Sequence, residues 1–231
     1  MDWNTVFFML FPYAAIALAI VVTAARITYR PFSVSSLSSQ LLERKKLYWG
    51  SIPFHYGIIV ILLGHLVALS LPKGLTWWNS VPVRLYILGI TGLTLGLWAC
   101  AGLLILLWRR LSEPRVRAVT TPMDIIVLVV ILISVGTGLT ASGFYRFGHF
   151  WFTGVFTPYL RSIFTLQPKP QLVANLPLLM KIHAFNFFVF LAIFPFSRLI
   201  HIITVPLGYL VRPWQIVIWA RRSHALSGEK A

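Results

Sequence analysis

The sequence predicts an all-α integral membrane protein, a bundle of five transmembrane helices. Of its 231 residues 58% are hydrophobic and only 11% are charged, a balance that excludes an ordinary soluble domain. The basic residues fall in short clusters between apolar runs of about 20 residues. That clustering is a membrane topology signal, so the net charge of +15 does not indicate a nucleic-acid partner. We treat residues 1–231 as a single membrane domain.

Five apolar runs are long enough to cross a hydrocarbon core, which takes roughly 20 helical residues. The first run has neither a basic leader nor a small-residue cleavage site before it, so we expect it to stay in the membrane. The predicted spans cover residues 4–25, 52–71, 84–108, 124–144 and 178–204.

An odd number of spans puts the two termini on opposite sides of the membrane. Of the 20 Lys and Arg residues, 14 lie in the first connection, the third connection and the C-terminal tail. The positive-inside rule then predicts an N-terminus outside and a C-terminus in the cytoplasm, in a multi-pass protein of a prokaryotic cytoplasmic (inner) membrane.

The first span carries no charge, and its Pro12 is a place where neighbouring helices could tolerate a kink. The second span contains His55 and His65, each near a glycine, Gly57 or Gly64, that would leave room for a flat, bulky group between helices.

Small residues in the third span, Gly92 and Gly96, form a small-xxx-small pair suited to close helix contact. Before the fourth span, Thr120, Thr121 and Pro122 followed by Asp124 predict a helix start with an acidic first turn.

The connection over residues 145–177 is rich in aromatic and proline residues, which predicts an aromatic belt at the outer interface. We expect His149 in this connection and His224 in the basic tail to be solvated. The single cysteine, Cys100, excludes an internal disulfide or a thiolate cluster, so any iron-sulfur centre belongs to a partner.

The fifth span carries His183 and His201 with Pro195 between them. The histidines are 18 residues apart, five turns of 3.6 residues, so they face the same side of a straight helix. Ionisable rings within hydrocarbon are costly, and two of them on one span form a functional-site hypothesis.

Pairing the second span with an antiparallel fifth span puts His55 and His201 toward the inner face and His65 and His183 toward the outer face. Two imidazoles on opposite sides of a flat macrocycle would hold a six-coordinate haem b, a site that moves electrons and lacks an open position for oxygen chemistry. The other interpretation, interfacial or hydrogen-bonded histidines without a metal, stays open.

The spacing of the histidines differs between the two spans. Ten residues give about 15 Å of helical rise and 18 give about 27 Å. Straight, parallel helices therefore cannot place the two histidines of each pair at the same depth in the membrane. We therefore expect the fifth span to be tilted, bent or locally unwound near Pro195.

Four stretches carry a family resemblance: SSQLLERKK, FHYGIIVILLGHL, EPRVRAVTTPMDI and FPFSRLIHIITVPLGYL. Over about residues 36–220 the chain resembles the gamma subunit of membrane-bound respiratory nitrate reductase, a five-helix cytochrome b. The resemblance implies two haem b groups, an outer (distal) one held by His65 and His183 and an inner (proximal) one held by His55 and His201.

The resemblance also implies oxidation of quinol (menaquinol or ubiquinol) at the outer side, in a pocket lined by Gly64 and His65. Arg84 stands about where the family has a lysine. Electrons would cross to the inner haem and leave for an iron-sulfur beta subunit and a molybdenum-containing alpha subunit that reduces nitrate. Arg198, one turn from His201, would contact a haem propionate or, alternatively, snorkel as a positive-inside arginine.

Two other functions remain open. Gamma-like cytochromes b also serve sulfur-cycle or heterodisulfide-reductase-type complexes, which the histidines alone do not distinguish. A membrane transporter or scaffold would bind no haem at all.

Overall fold

The protein is described by a computed structural model that covers residues 2–30, 39, 42–145 and 152–203. Five helices in this part are long and apolar enough to cross a membrane, which confirms the predicted fold class and a multi-pass membrane protein. We call them the first to fifth spans: Trp3–Tyr29, Lys45–Ser70, Pro82–Ser112, Pro122–Phe144 and Leu178–Phe196.

Several spans are longer than predicted because the helices continue past the apolar runs. The second span begins at Lys45 and the third ends at Ser112, beyond Arg109. Hydropathy marks the hydrocarbon-length part of a helix, whereas backbone hydrogen bonding continues into polar residues.

The spans alternate in direction. The second packs along the third, the third and fifth both pack on the fourth, and the fifth also packs on the first. Ion pairs join the span ends: Arg109 near the end of the third to Glu43 before the second, and Arg110 to Asp124 at the start of the fourth. These ends, together with the end of the fifth span, form what we call the basic end of the bundle.

Glycines bring the second and third spans close together. A Cβ on Gly57 would lie 2.6 Å from the Leu95 carbonyl, and one on Gly102 would lie 2.6 Å from the Gly50 carbonyl. The expectation that Gly57 leaves room for a cofactor is therefore wrong, because the third span occupies that room. Of the predicted third-span pair, Gly96 is in close contact with Leu139 whereas no heavy atom would lie within 4 Å of a Cβ on Gly92.

Pro12 has a structural consequence in the first span. The chain runs as a π-helical turn over Val6–Leu10 and as an α-helix over Phe11–Tyr29. Because Pro12 has no N–H, it cannot bond the carbonyl four residues earlier, that of Phe8. The Tyr159 hydroxyl donates to that carbonyl instead, at 2.9 Å. Burial raises the pKa of Tyr159, which keeps this donor protonated.

The connection after the fourth span folds onto the bundle. Its described part forms a π-helical turn, Phe152–Phe156, and helices Thr157–Phe164 and Gln171–Ala174, with Tyr159 and Ile163 buried in the core. Arg161 Nη2 donates to the Leu69 and Ser70 carbonyls at 3.0 and 3.3 Å, covering the end of the second span. Residues 146–151, with His149 and three of the aromatic residues, lie outside the described residues, so the aromatic belt stays a prediction.

Polar contacts at the basic end are dense. Arg109 is 2% exposed, and its guanidinium donates to Glu43 and to Ser39. The Glu43 carboxylate also accepts from the backbone N–H groups of Lys46 and Leu47. The predicted start of the fourth span is confirmed as a capping box between Thr121 and Asp124.

Candidate functional site

His183 lies against the fourth span. Its Nδ1 atom is 2.9 Å from Thr137 Oγ1, and a Cβ on Gly138 would lie 3.2 Å from its Cε1 atom. The Thr137 hydroxyl donates to the Ile133 carbonyl at 2.6 Å, so its oxygen is left to accept from the ring. With the hydroxyl oriented in this way, the tautomer of His183 that fits the contact has its proton on Nδ1.

His65 is exposed within the protein. Its Nδ1 atom lies 2.8 Å from the Ile61 carbonyl, and its ring meets the ring of Phe152 edge-on at 4.9 Å. His65 and His183 are near enough to interact electrostatically. In the described part of the chain the second and fifth spans do not pack along each other.

The other two histidines lie toward the basic end. His55 Nδ1 is 2.7 Å from the Ser51 carbonyl and 3.1 Å from the Ser51 hydroxyl. His201 Nδ1 is 2.8 Å from the Arg198 carbonyl. Nothing in the described contacts joins His55 to His201, so their pairing stays a prediction.

All four histidines share one hydrogen-bonding pattern. A carbonyl can only accept, so the rings bonded to one must donate through Nδ1–H, and His183 does the same to a hydroxyl. The contacts named above all reach Nδ1, and His183 has a further hydrogen bond to the backbone of Ser134. A metal-ligating imidazole has this arrangement, with one nitrogen fixed by a second partner and the other available. The four rings thus fit axial ligation of haem iron.

No group of three or more His, Cys, Asp or Glu side chains that could hold a metal ion occurs in the described residues. Bis-imidazole ligation of a haem asks for two side chains per iron, and the macrocycle supplies the remaining ligands.

The fifth span breaks between its two histidines. The α-helix Leu178–Ile193 is followed by a 3₁₀ turn, Phe194–Phe196, an extended Ser197 and a second 3₁₀ segment, Arg198–Ile202. This confirms the predicted unwinding near Pro195. The expectation that His183 and His201 lie on the same side of one straight helix is wrong, because the helix ends between them.

Two other spans hold the broken segment. Arg26 of the first span donates through Nη1 to the Pro195 carbonyl and, at 3.1 Å, to the Ser197 carbonyl. Asp124 of the fourth span accepts from Arg198 Nε at 3.1 Å. Arg198 also donates to the Val119 carbonyl at 3.4 Å, so the structure places this arginine in contact with protein groups.

The predicted quinol-pocket residues lie in two settings. Among the described residues, no heavy atom would lie within 4 Å of a Cβ on Gly64, next to His65. The Arg84 guanidinium lies over the rings of Trp77 and Trp78, at 4.9 and 5.3 Å from their centroids. Both indoles belong to the helix Pro72–Asn79, which joins the second and third spans.

Sequence reasoning missed three residues at the site: Thr137, Gly138 and Phe152. The sequence offers a weak indication of the first two, a hydroxyl and a glycine side by side in an apolar span. It does not show that the helix is rotated so that they face His183. His224 lies outside the described residues.

Comparison with known proteins is consistent over nearly the whole chain. The family model described as "Nitrate reductase gamma subunit" matches residues 4–220. A nitrate reductase gamma chain of Bacillus subtilis (strain 168) is 32% identical over 217 residues, 92% of this chain and 96% of that protein. The respiratory nitrate reductase 1 gamma chain of Escherichia coli (strain K12) is 32% identical over 219 residues, covering 93% and 96% of the two chains. A nitrate reductase-like protein NarX of Mycobacterium tuberculosis is 31% identical over 215 residues, which make up 33% of its length.

Proposed function

The chain belongs to the nitrate reductase gamma subunit family and is a membrane anchor subunit of a nitrate reductase, and from this we propose that it is a dihaem cytochrome b that oxidises quinol. His65 and His183 would hold the outer haem, and His55 and His201 the inner haem. Its place is the prokaryotic cytoplasmic membrane, with the N-terminus outside and the C-terminus in the cytoplasm.

The observation that carries this proposal is the common Nδ1 bonding of the four histidines. In the described residues, the Nδ1 atom of each of the four rings lies within hydrogen-bond distance of an oxygen atom. An axial ligand needs one ring nitrogen held by a second partner, and this bonding supplies it. Three of the partners are carbonyls three or four residues earlier in the chain, whereas the partner of His183 comes from the neighbouring fourth span.

The chain's own residues would orient both ligand sets. Ile61 and Thr137 fix the two outer imidazoles from different helices, and the open backbone at Gly64 gives a flat group access beside His65. When bound, the two haems would supply single-electron transfer between quinol and the partner subunits. No thiolate cluster can come from this chain, since it has one cysteine, so an iron-sulfur beta subunit and a molybdenum alpha subunit would receive the electrons.

Quinol would bind at the His65 end, near Gly64. Arg84 would offer its guanidinium edge to a quinol oxygen, because stacking on Trp77 and Trp78 engages its face and leaves its edge donors directed outward from the rings. At the opposite end, Arg198 would add a haem propionate to its contacts with Asp124 and Val119.

An optical spectrum of the complex purified with its partner subunits tests the proposal. We expect a reduced b-type alpha band that corresponds to two haems per chain and is oxidised by nitrate. The absence of such a band would overturn the dihaem proposal and leave a haem-free anchor.

A further inference from the structure

We infer that Arg26 and Asp124 are positioning residues for His201: from the first and fourth spans they hold the broken end of the fifth span in the arrangement that orients its imidazole. The inference rests on the proposed function, because it takes His201 as an axial ligand of the inner haem.

The break creates backbone groups that an α-helix would have satisfied. The α-helix has ended by Phe194, and Ser197 is extended, with φ −97° and ψ 174°, so the carbonyls that follow have no α-helical donors. Arg26 supplies donors to two of these carbonyls, those of Pro195 and Ser197. The Ser197 hydroxyl donates to the Phe194 carbonyl at 2.8 Å and accepts from Leu199 N–H at 3.1 Å.

The segment after the break is tied to the fourth span by a buried acid. The Asp124 side chain is 7% exposed, and its Oδ1 atom pairs with Arg198 Nε at 3.1 Å. Its Oδ2 atom accepts from Thr121 N–H at 3.0 Å and pairs with Arg110 Nη1 at 3.3 Å. Asp124 therefore links the third, fourth and fifth spans at one point.

The link reaches His201 through a single residue. Arg198 binds Asp124 with its side chain and accepts the Nδ1–H of His201 with its own carbonyl, at 2.8 Å. Ile200, between them, is fully buried, so the segment has a packed side as well as a bonded one. A shift of Arg198 would therefore rotate the imidazole or remove its hydrogen-bond acceptor.

The two residues act on different sides of the break. Arg26 holds Pro195 and Ser197, before the second 3₁₀ segment, and Asp124 holds Arg198, its first residue. A short 3₁₀ segment has too few internal hydrogen bonds to keep its orientation alone. Fixing it at both positions explains how a broken helix can still present a ligand with a defined direction.

The test uses the complete complex in its native membranes, with redox titration of both haems followed by optical and electron paramagnetic resonance spectra. The variants are Asp124→Asn, which keeps the helix cap but removes the charge, Arg26→Gln, and the conservative Asp124→Glu. The controls are Glu113→Gln, the acid of the separate Lys46–Glu113 pair at the same end, and Arg115→Gln, an exposed arginine nearby.

We expect Asp124→Asn and Arg26→Gln to shift the midpoint potential and low-spin signal of the inner haem, or to lose that haem, while the outer haem is unchanged. Asp124→Glu should restore most of the inner signal, and both controls should match the parent protein. An unchanged inner haem in both variants would overturn the inference, and so would equal loss of both haems, which indicates a general folding role. If the parent protein itself holds no haem, the proposed function fails and the inference with it.

Discussion

Thr137 Oγ1 lies 2.9 Å from Nδ1 of His183, and the two residues belong to neighbouring spans. The threonine hydroxyl donates a hydrogen bond to the Ile133 carbonyl, so a lone pair of its oxygen can face the ring. The fourth span therefore supplies the partner for Nδ1 of a histidine on the fifth.

Replacing Thr137 by valine tests this contact. The substitution keeps the shape of the side chain and removes the acceptor, so His183 loses the partner that fixes its ring. Loss of such outer-shell partners typically weakens metal binding by about 10- to 100-fold. We expect reduced retention of the outer haem, measured by spectral haem quantification during detergent dilution. We also expect slower quinol oxidation, measured as the rate of quinol-driven nitrate reduction.

Thr140→Val is the matched control for that experiment. Thr140 lies on the same span, and its hydroxyl bonds only the Gly136 carbonyl of its own helix, at 2.8 Å. Equal effects of the two substitutions would contradict a specific role for Thr137.

Gly138→Ala should disturb the same ring by contact. The added Cβ would lie 3.2 Å from His183 Cε1, closer than an ordinary van der Waals contact, so the ring must move by a few tenths of an ångström. We expect a shifted potential of the outer haem with the inner haem unchanged. Gly136→Ala, where a Cβ meets nothing within 4 Å, should leave both potentials as they are. The same shift in both variants would show that helix stiffening, and not the ring contact, is responsible.

Close packing of the second and third spans predicts a stability defect for Gly102→Ala. Its Cβ would lie 2.6 Å from the Gly50 carbonyl and from the Phe54 nitrogen, and backbone atoms cannot move aside as a side chain does. Overpacking of this kind costs about 1–3 kcal/mol. Thermal unfolding in detergent should show a lower midpoint, and Gly92→Ala on the same span should show none. An unchanged midpoint for Gly102→Ala would contradict the close approach.

The buried ion pair at the basic end predicts a pH dependence. Burial by itself raises the pKa of Glu43, but hydrogen bonds from the backbone N–H of Lys46, from Arg109 and from the backbone N–H of Leu47 outweigh it and hold the pKa below its usual 4.5. A carboxyl whose folded pKa is depressed contributes stability that is complete above the unfolded pKa and is lost as pH falls through the folded one. We expect this stabilisation to be full at neutral pH and to decline below about pH 4.5.

Arg109→Gln should remove that stabilisation at neutral pH. Breaking a buried pair by removing one partner costs about 3–5 kcal/mol, because the other charge is left without its counterpart. Arg109 is 2% exposed but the Glu43 side chain is 16% exposed, so solvent screening makes the loss smaller than that of a fully buried pair. Arg115→Gln, in the exposed connection nearby, is the control. Similar unfolding midpoints for both variants would mean that the Arg109 pair does not stabilise the fold.

The sequence predicts most of this fold because hydrocarbon imposes simple demands on length and polarity. Five apolar runs give the spans, and Thr121 with Asp124 gives the capped start of the fourth. Even the break near Pro195 follows from unequal histidine spacings.

Features that depend on contacts between distant segments could not be predicted. Tyr159 bonds the carbonyl that Pro12 leaves without a donor, and the Thr157–Phe164 helix covers the end of the second span. Which way Thr137 and Gly138 face depends on helix rotation, and Ser134 and Thr137 are a short polar pattern in the apolar fourth span that does not name the helix they face. Gly57 was misread for the same reason, since a glycine that admits a cofactor and one that admits a helix look alike in sequence.

The central claim is tested most directly by counting haems in histidine variants of the purified complex. The parent protein should hold two haem b per chain, and His65→Ala or His183→Ala should each leave only the inner haem, with quinol oxidation lost. His55→Ala or His201→Ala should each leave only the outer one. Two haems retained in any of these variants, or none in the parent protein, would contradict the assignment of the four histidines as paired axial ligands.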